Sequence, residues 1–157
     1  YPVGGASFDF PYQRGHMCPS ADRDATTSDN DATYVMSNMI PQYGNNNTGV
    51  WATFEGYART LASGGDEVLN ICGPSEFSGA TLTVNPMKIP GSVWKIVVVA
   101  SAGTNSIATR VSTNSTVIAI KTPNDSSVTN NWNLYVTSIA QLEVDTGFTF
   151  QIGRAHV

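Results

Sequence analysis

The periodicity of apolar residues predicts one long helix in the first half of the chain. Its apolar positions recur at helical spacing and form one stripe: Val50, Phe54, Tyr57, Ala58 and Leu61. Gly64 and Gly65 end the stripe, because glycine accepts the left-handed turn that follows a helix. Asn47 stands where a helix N-cap is expected. We therefore expect an amphipathic helix that begins just after Asn47.

Runs rich in β-branched residues predict short strands on both sides of this helix. In chain order they are residues 33–38 (ended by Pro41), 67–73, 93–100, 116–121 and 134–136. Ser138-Ile-Ala-Gln141 is a capping box that starts a short second helix, which Gly147 closes. Residues 1–11 are predicted to be an irregular lead-in, and residues 18–31 a polar loop. This order predicts an α+β fold with a central, mostly antiparallel β-sheet.

Composition narrows the class of protein. A chain of 157 residues, 41% hydrophobic and 13% charged, is typical of one folded domain. No apolar run approaches the roughly 20 residues that cross a bilayer, so no membrane partner is expected. The few charges favour a secreted or periplasmic protein, although no signal peptide is visible. We expect a domain at residues 1–151 that is truncated at its N-terminus, and a non-native tail at residues 152–157.

The charge balance argues against a wide basic surface for nucleic acid. The net charge is −4, whereas strong non-specific binding of nucleic acid rests on many cations. A local cationic cleft is still compatible with this balance. Its candidate members are Arg14, Arg23, Arg59, Lys88 and Lys95. Such a cleft predicts weak, salt-sensitive binding.

The two cysteines, Cys18 and Cys72, allow at most one internal disulfide. They are a disulfide candidate in an oxidising compartment and ordinary thiols in a reducing one. A zinc site would need three or four of Cys18, His16, Cys72 and a further ligand, without any close Cys-x-x-Cys pair.

Candidate catalytic residues lie within the first 60 positions. His16 follows Arg14-Gly15, and a neutral imidazole suits removal of a proton from water, although a lone histidine is more commonly structural. The carboxamide oxygen of Asn47 is a hard ligand suited to Mg²⁺, the alternative being an N-cap. Glu55 and Arg59 share a helix face, so one can orient the other or the two can form a surface ion pair. Glu55 lies about 12 Å along the helix axis from Asn47, too far for a shared direct metal bond.

Three ordered segments resemble one known family. Residues 14–23, residues 37–42, and residues 47–51 leading to Glu55 and Arg59 are similar to the non-specific DNA/RNA endonucleases of the ββα-metal-finger type. Residues 68–74, 89–97 and 137–147 also look like core elements of that family. The resemblance implies hydrolysis of DNA and RNA, single- or double-stranded, without sequence preference, leaving a 5′-phosphate.

The resemblance also assigns roles to individual residues. His16 would be the general base, and Asn47 the single protein ligand of Mg²⁺, with Mn²⁺ as the other candidate metal. Glu55 would order the waters of the metal. Arg14 and Arg59 would bind and neutralise the phosphate, and Asn38 would help to shape the substrate site. The sequence does not indicate whether an inhibitor protein exists, or whether the role is nutrient scavenging or toxicity.

Two departures from the family pattern keep an alternative open. Gln13 stands where the family motif begins with Asp, and Gly91-Ser92 stands where relatives often carry Thr-His. A glutamine supplies no negative charge near a metal, so the alternative is a catalytically weakened or inactive relative that binds nucleic acid. A third reading, a β-rich module that binds glycans, does not account for His16, Asn47, Glu55 and Arg59 in this order.

Overall fold

A β-hairpin leads into the long helix. The computed structural model describes residues 10–83, 86–112, 114–150 and 152. Strand β1 (Tyr12–His16) pairs antiparallel with β2 (Met39–Tyr43), and helix α1 (Thr27–Ala32) lies in the connection between them. A π-helical turn, Asn46–Trp51, then runs directly into helix α2 (Ala52–Ser63).

A four-stranded antiparallel sheet follows. Its strands are β3 (Glu67–Thr81), β4 (Lys88–Ala100), β5 (Thr116–Pro123) and β6 (Val136–Thr137), paired in the order β3-β4-β5-β6. Helix α3 (Ile107–Arg110) lies between β4 and β5, and helix α4 (Ile139–Thr146) follows β6. The predicted α+β class with a mostly antiparallel sheet and one long helix is thus confirmed.

The sheet buries apolar side chains on both faces. Successive residues of a strand point to opposite faces, so neighbouring residues of β4 belong to different cores. One core unites the sheet with α2 and consists of Phe54, Ala58, Val97 and Ile120. The other includes Trp94, Ile96, Val98, Ala119, Leu142 and Phe150. The predicted stripe of the long helix is therefore the face that fixes α2 on the sheet.

Several predicted element ends are confirmed. Helix α2 ends at Ser63, and Gly65 adopts a positive φ of 97°. Ser138 Oγ accepts a hydrogen bond from the Gln141 amide at 3.0 Å, and Gly147 closes α4 with a φ of 72°. These signals act within a few residues, so they are readable without the tertiary structure.

Other predicted elements differ from the structure. The strand expected at residues 33–38 is wrong, because residues 36–38 form a 3-10 turn and β2 starts at Met39. Pro41 lies inside β2 instead of ending a strand, since an edge strand tolerates the missing amide donor. The loop expected at residues 18–31 contains a 3-10 turn, Ser20–Asp22, and helix α1.

The remaining elements lie toward the chain ends. The strand expected at residues 134–136 is mostly a 3-10 turn, Trp132–Tyr135, that leads into β6. The lead-in at residues 1–9 and the tail beyond Ile152, including His156, lie outside the described residues. Within the described ranges, no helix has the length and apolar character needed to cross a membrane.

Candidate active site

One small cleft gathers the four residues that the sequence singled out. The cleft has a volume of about 120 Å³ and is lined by His16, Asn47, Glu55 and Arg59, together with Pro19, Ser20, Ala21 and Trp51. The four side chains come from the end of β1, the π-helical turn and two successive turns of α2. His16 and Asn47, which the sequence predicted as proton acceptor and metal ligand, therefore line the same cleft.

His16 ends β1 in a position that requires the glycine before it. A Cβ added to Gly15 would lie 2.6 Å from the Cβ of Gln42, so no larger residue fits against β2 there. The His16 ring stands edge-on to Tyr34, with centroids 4.9 Å apart. Its Nε2 is buried and has no hydrogen-bond partner among the described residues.

The surroundings of His16 favour the neutral imidazole. Burial lowers the pKa of His16 below its ordinary value, and the positive charge of Arg14 lowers that pKa further. Arg14 is exposed on β1, two residues from His16 and therefore on the same face of the strand. A ring that stays neutral at pH 7 can accept a proton.

Asn47 is held by a tertiary hydrogen bond instead of capping the helix, so the N-cap prediction is wrong. Its Nδ2 donates to Gln13 Oε1 at 2.8 Å, and α2 begins five residues later. The carboxamide oxygen of Asn47 accepts no hydrogen bond within the described part of the chain. Asn47 lines the same cleft as Glu55, and an amide oxygen and a carboxylate are the donor types that a hard divalent cation takes.

A buried carboxamide network holds the π-helical turn in place. Asn46 is fully buried, accepts from Gln42 Nε2 at 2.8 Å, and donates to Thr122 Oγ1 at 2.9 Å and Pro123 O at 2.7 Å. These bonds tie the turn to β2 and β5. Sequence reasoning treated Asn46 as an ordinary turn residue, because only the packing against β5 buries it.

Glu55 and Arg59 have separate partners, so the expected direct pairing between them is not formed. Glu55 Oε1 accepts from Lys95 Nζ at 2.8 Å, and Arg59 donates to Asp22 Oδ1 at 2.9 Å. Burial raises the pKa of Glu55, while the adjacent Lys95 charge opposes this increase. Lys95 is only 1% exposed, so its predicted place in an open cationic cleft is wrong.

Asn38 shapes the loop beside the cleft. Its carboxamide accepts from the Cys18 amide and donates to the carbonyls of Cys18 and Thr33, at 2.8–2.9 Å. Asn38 also lines a larger neighbouring cleft of about 740 Å³, which shares Arg59 with the first. The hydrogen bonds account for a shaping role, and direct contact with substrate stays a prediction.

The two cysteines also line the larger cleft. Cys18 and Cys72 are free thiols, and the Cys72 thiol donates to the Met17 carbonyl with a sulfur–oxygen distance of 3.1 Å. The structure thus contains no disulfide between Cys18 and Cys72, and their pairing in an oxidising compartment stays a prediction. Among the described residues, no group of three or more His, Cys, Asp or Glu is placed to hold a metal, as a zinc site would require.

A histidine-bearing hairpin, an asparagine before a helix and two further residues on that helix surround one cleft. This arrangement defines the ββα-metal class of nuclease folds. The chain belongs to the DNA/RNA non-specific endonuclease family, whose model matches residues 3–155.

Individual relatives agree with this assignment. The chain is 42% identical to a nuclease of Nostoc sp. strain PCC 7120 over 139 residues, which is 88% of this chain and 50% of that protein. It is 27% identical to the mitochondrial nuclease EXOG of Xenopus laevis over 103 residues, covering 59% of this chain and 29% of the relative. The chain thus spans about half the length of the Nostoc nuclease, and less of the frog protein.

A solved structure shares the fold. The crystal structure of an EndoG/EndoGI complex, described as showing the mechanism of EndoG inhibition, matches 93% of this chain and 62% of that chain. The TM-score is 0.75 and the sequence identity is 23%, so this likeness concerns the fold.

Proposed function

We propose that this chain is a metal-dependent endonuclease that hydrolyses phosphodiester bonds of DNA and RNA without sequence preference. The observation that carries the proposal is the shared cleft of His16, Asn47, Glu55 and Arg59. Family membership supports the same reaction class. The side chains of His16, Asn47, Glu55 and Arg59 suit water, metal or phosphate, which agrees with cleavage of either nucleic acid.

His16 acts as the general base. Its lowered pKa keeps the ring neutral, and its Nε2 is shielded from solvent, so Nδ1 is the nitrogen that accepts the proton of the attacking water. The water oxygen forms a bond to phosphorus as the bond from phosphorus to the 3′ oxygen breaks, and the 3′ oxygen takes up a proton from solvent water. The products carry a 5′-phosphate and a 3′-hydroxyl.

The amide oxygen of Asn47 and the carboxylate of Glu55 suit Mg²⁺, which prefers oxygen donors and retains most of its waters. Asn47 would bind the ion directly, and Glu55 would accept hydrogen bonds from its waters. When bound, the ion supplies positive charge that stabilises the developing charge on the phosphate and on the leaving oxygen.

Arg59 and Arg14 supply the remaining positive charge. The Arg59 side chain is 41% exposed and pairs with Asp22 near the protein surface. Because exposed ion pairs contribute little free energy, a substrate phosphate can replace Asp22 as the partner of Arg59. A guanidinium binds phosphate through two parallel hydrogen bonds, which suits this exchange.

Gln13 is one of the grounds for the alternative of an inactive relative, and the contacts of Gln13 argue against this ground. Gln13 Oε1 accepts from the Asn47 amide, as a carboxylate at this position also would. The substitution therefore removes one negative charge but keeps the hydrogen bond that orients Asn47. We propose that the enzyme is active and binds its metal more weakly than a relative that carries Asp at the position of Gln13.

The test is cleavage of a plasmid and of a structured RNA with Mg²⁺, with and without EDTA. Both substrates should be degraded, and EDTA should stop degradation. His16→Ala should lower kcat by about 10²–10⁴-fold while the protein stays folded. The matched control is Arg110→Met, which removes an ion-paired arginine that does not line the cleft. A folded wild-type protein that leaves both substrates intact would overturn the proposal.

A further inference from the structure

One buried cation lies beneath the cleft without a role in the proposed reaction. Lys95 belongs to β4, one of the two inner strands of the sheet, and is only 1% exposed. It faces the same side of the sheet as Val97, where α2 packs. The ammonium group is thus enclosed between the sheet and the segment that carries Asn47 and Glu55.

The contacts of Lys95 connect two parts of the site. Its Nζ lies 2.8 Å from Glu55 Oε1 and 4.4 Å from the ring centroid of Trp51. Trp51 ends the π-helical turn and donates its indole N–H to the His16 carbonyl, at 3.4 Å. Lys95 therefore contacts Glu55 and Trp51 directly, and Trp51 in turn connects to the end of β1.

Burying the ammonium group of Lys95 costs desolvation free energy. Removing a charge from water is unfavourable, and well-packed apolar residues commonly stabilise a core as well as a buried ion pair does. Stability alone therefore gives weak reason for a lysine here. The alternative reason is specificity of placement, because a charged hydrogen bond at 2.8 Å fixes the direction of the carboxylate.

We propose that Lys95 is a positioning residue that fixes the Glu55 carboxylate for its work in the cleft. Lys95 occupies Oε1, whereas Oε2 has no hydrogen-bond partner within the described residues, and Glu55 lines the cleft. Oε2 is thus the oxygen left to accept hydrogen bonds from the waters of the metal. This inference rests on the proposed function. It adds a residue that never touches substrate or metal, yet controls how Glu55 meets the hydrated ion.

The experiment compares the full chain with Lys95→Met, which keeps the length of the side chain and removes its charge. Folding is checked by circular dichroism and thermal unfolding. The measurements are kcat, KM for DNA, and Mg²⁺ affinity by isothermal titration calorimetry without substrate. Lys95→Met should lower kcat by about tenfold or more, weaken Mg²⁺ binding, and change KM less than kcat, because Glu55 acts on the metal waters instead of on substrate binding.

Two further variants separate positioning from general structure. Lys121→Met removes another lysine of the same sheet, which pairs with Glu76 and Asp145 and does not line the cleft, so activity should be unchanged. In a double-mutant cycle, Lys95→Met should add no further loss to Glu55→Gln, because both changes remove the same interaction. Independent, multiplying losses would overturn the proposal, as would a folded Lys95→Met protein with wild-type kcat and metal affinity.

Failure of the proposed function is distinguished by the wild-type protein. If it is folded but does not cleave, the nuclease proposal fails, and Lys95 is judged from crystal structures of the wild type and Lys95→Met. Glu55 should keep one side-chain orientation in the wild type and lose it in the variant. An unchanged Glu55 would overturn the positioning role. Lys95→Gln, neutral but still a hydrogen-bond donor, replaces the methionine variant if that protein does not fold.

Discussion

At the scale of single residues, the site is a set of ordinary groups whose environments set their chemistry. Burial and the charge of Arg14 lower the pKa of His16 and so favour its neutral form. Gln13 accepts a hydrogen bond from the amide nitrogen of Asn47, which leaves the amide oxygen available. Lys95 holds one oxygen of Glu55. Each effect comes from a neighbour distant in sequence or from burial, apart from that of Arg14, which lies two residues from His16.

The lowered pKa of His16 predicts the acidic limb of the pH–rate profile. A base with a lowered pKa stays unprotonated to lower pH, so the midpoint of the fall in kcat/KM should lie below the ordinary histidine value of about 6.5. Arg14→Met removes the charge that opposes protonation and should move this limb to higher pH, in addition to lowering the rate. Arg110→Met, which removes a cation outside the cleft, should leave the midpoint in place. A wild-type midpoint clearly above 6.5, or no shift in Arg14→Met, would contradict this prediction.

Gln13 makes a second residue-scale prediction. Gln13→Ala removes the acceptor for the Asn47 amide and should weaken Mg²⁺ binding several-fold, measured by calorimetry and by the Mg²⁺ dependence of kcat. Gln13→Glu keeps an acceptor of the same length and adds negative charge, so Mg²⁺ should bind more tightly than in the wild type. Equal Mg²⁺ affinity in all three proteins would show that Gln13 has no part in metal binding.

At the scale of elements, the π-helical turn is the part that places Asn47. π-helical turns are rare and frequently occur at functional sites. Here the turn depends on the buried carboxamide of Asn46, which joins β2 and β5 to it. Helix α2 continues from the turn, so the same anchor fixes the direction of Glu55 and Arg59.

Asn46→Ala should therefore destabilise the protein. It leaves Gln42, Thr122 and Pro123 without their polar partner in a buried place, and such losses cost roughly 2–4 kcal/mol together. The measurement is the free energy of unfolding from urea denaturation. Asn45→Ala is the matched control, because Asn45 is exposed and makes no side-chain cap, and it should change stability by less than about 0.5 kcal/mol. If the two variants have the same free energy of unfolding, Asn46 does not anchor the turn.

At the scale of the whole molecule, an acidic protein has few cations at its cleft, where Arg59 is the arginine among the lining residues. The net charge is −4, and Lys95 and Lys121 are committed to internal ion pairs. Binding of nucleic acid should then depend on very few phosphate contacts. The sheet packs against α2 on one face and against α4 on the other. The cleft is lined by residues of α2, so it lies at one face of the sheet.

The salt dependence of binding tests this account. With Arg14 and Arg59 as the phosphate contacts, the logarithm of the affinity for duplex DNA should fall against the logarithm of salt concentration with a slope of about −2. Fluorescence anisotropy in EDTA measures binding without cleavage. Arg59→Met should reduce the magnitude of the slope by about one, whereas Arg110→Met should not change it. A slope several times larger would reveal a basic surface that this reading omits.

The sequence alone determined the elements whose signals are local. The helical stripe, the glycines that end helices and the capping box at Ser138 act within a few residues, so α2 and α4 were readable from the pattern. An ordered set of motifs also singled out His16, Asn47, Glu55 and Arg59 as candidates, and these four residues line one cleft. Only the tertiary structure decided which partner each of them has. Glu55 pairs with Lys95, Arg59 with Asp22 and Asn47 with Gln13, because such contacts depend on how hairpin, helix and sheet pack, which no local spacing encodes.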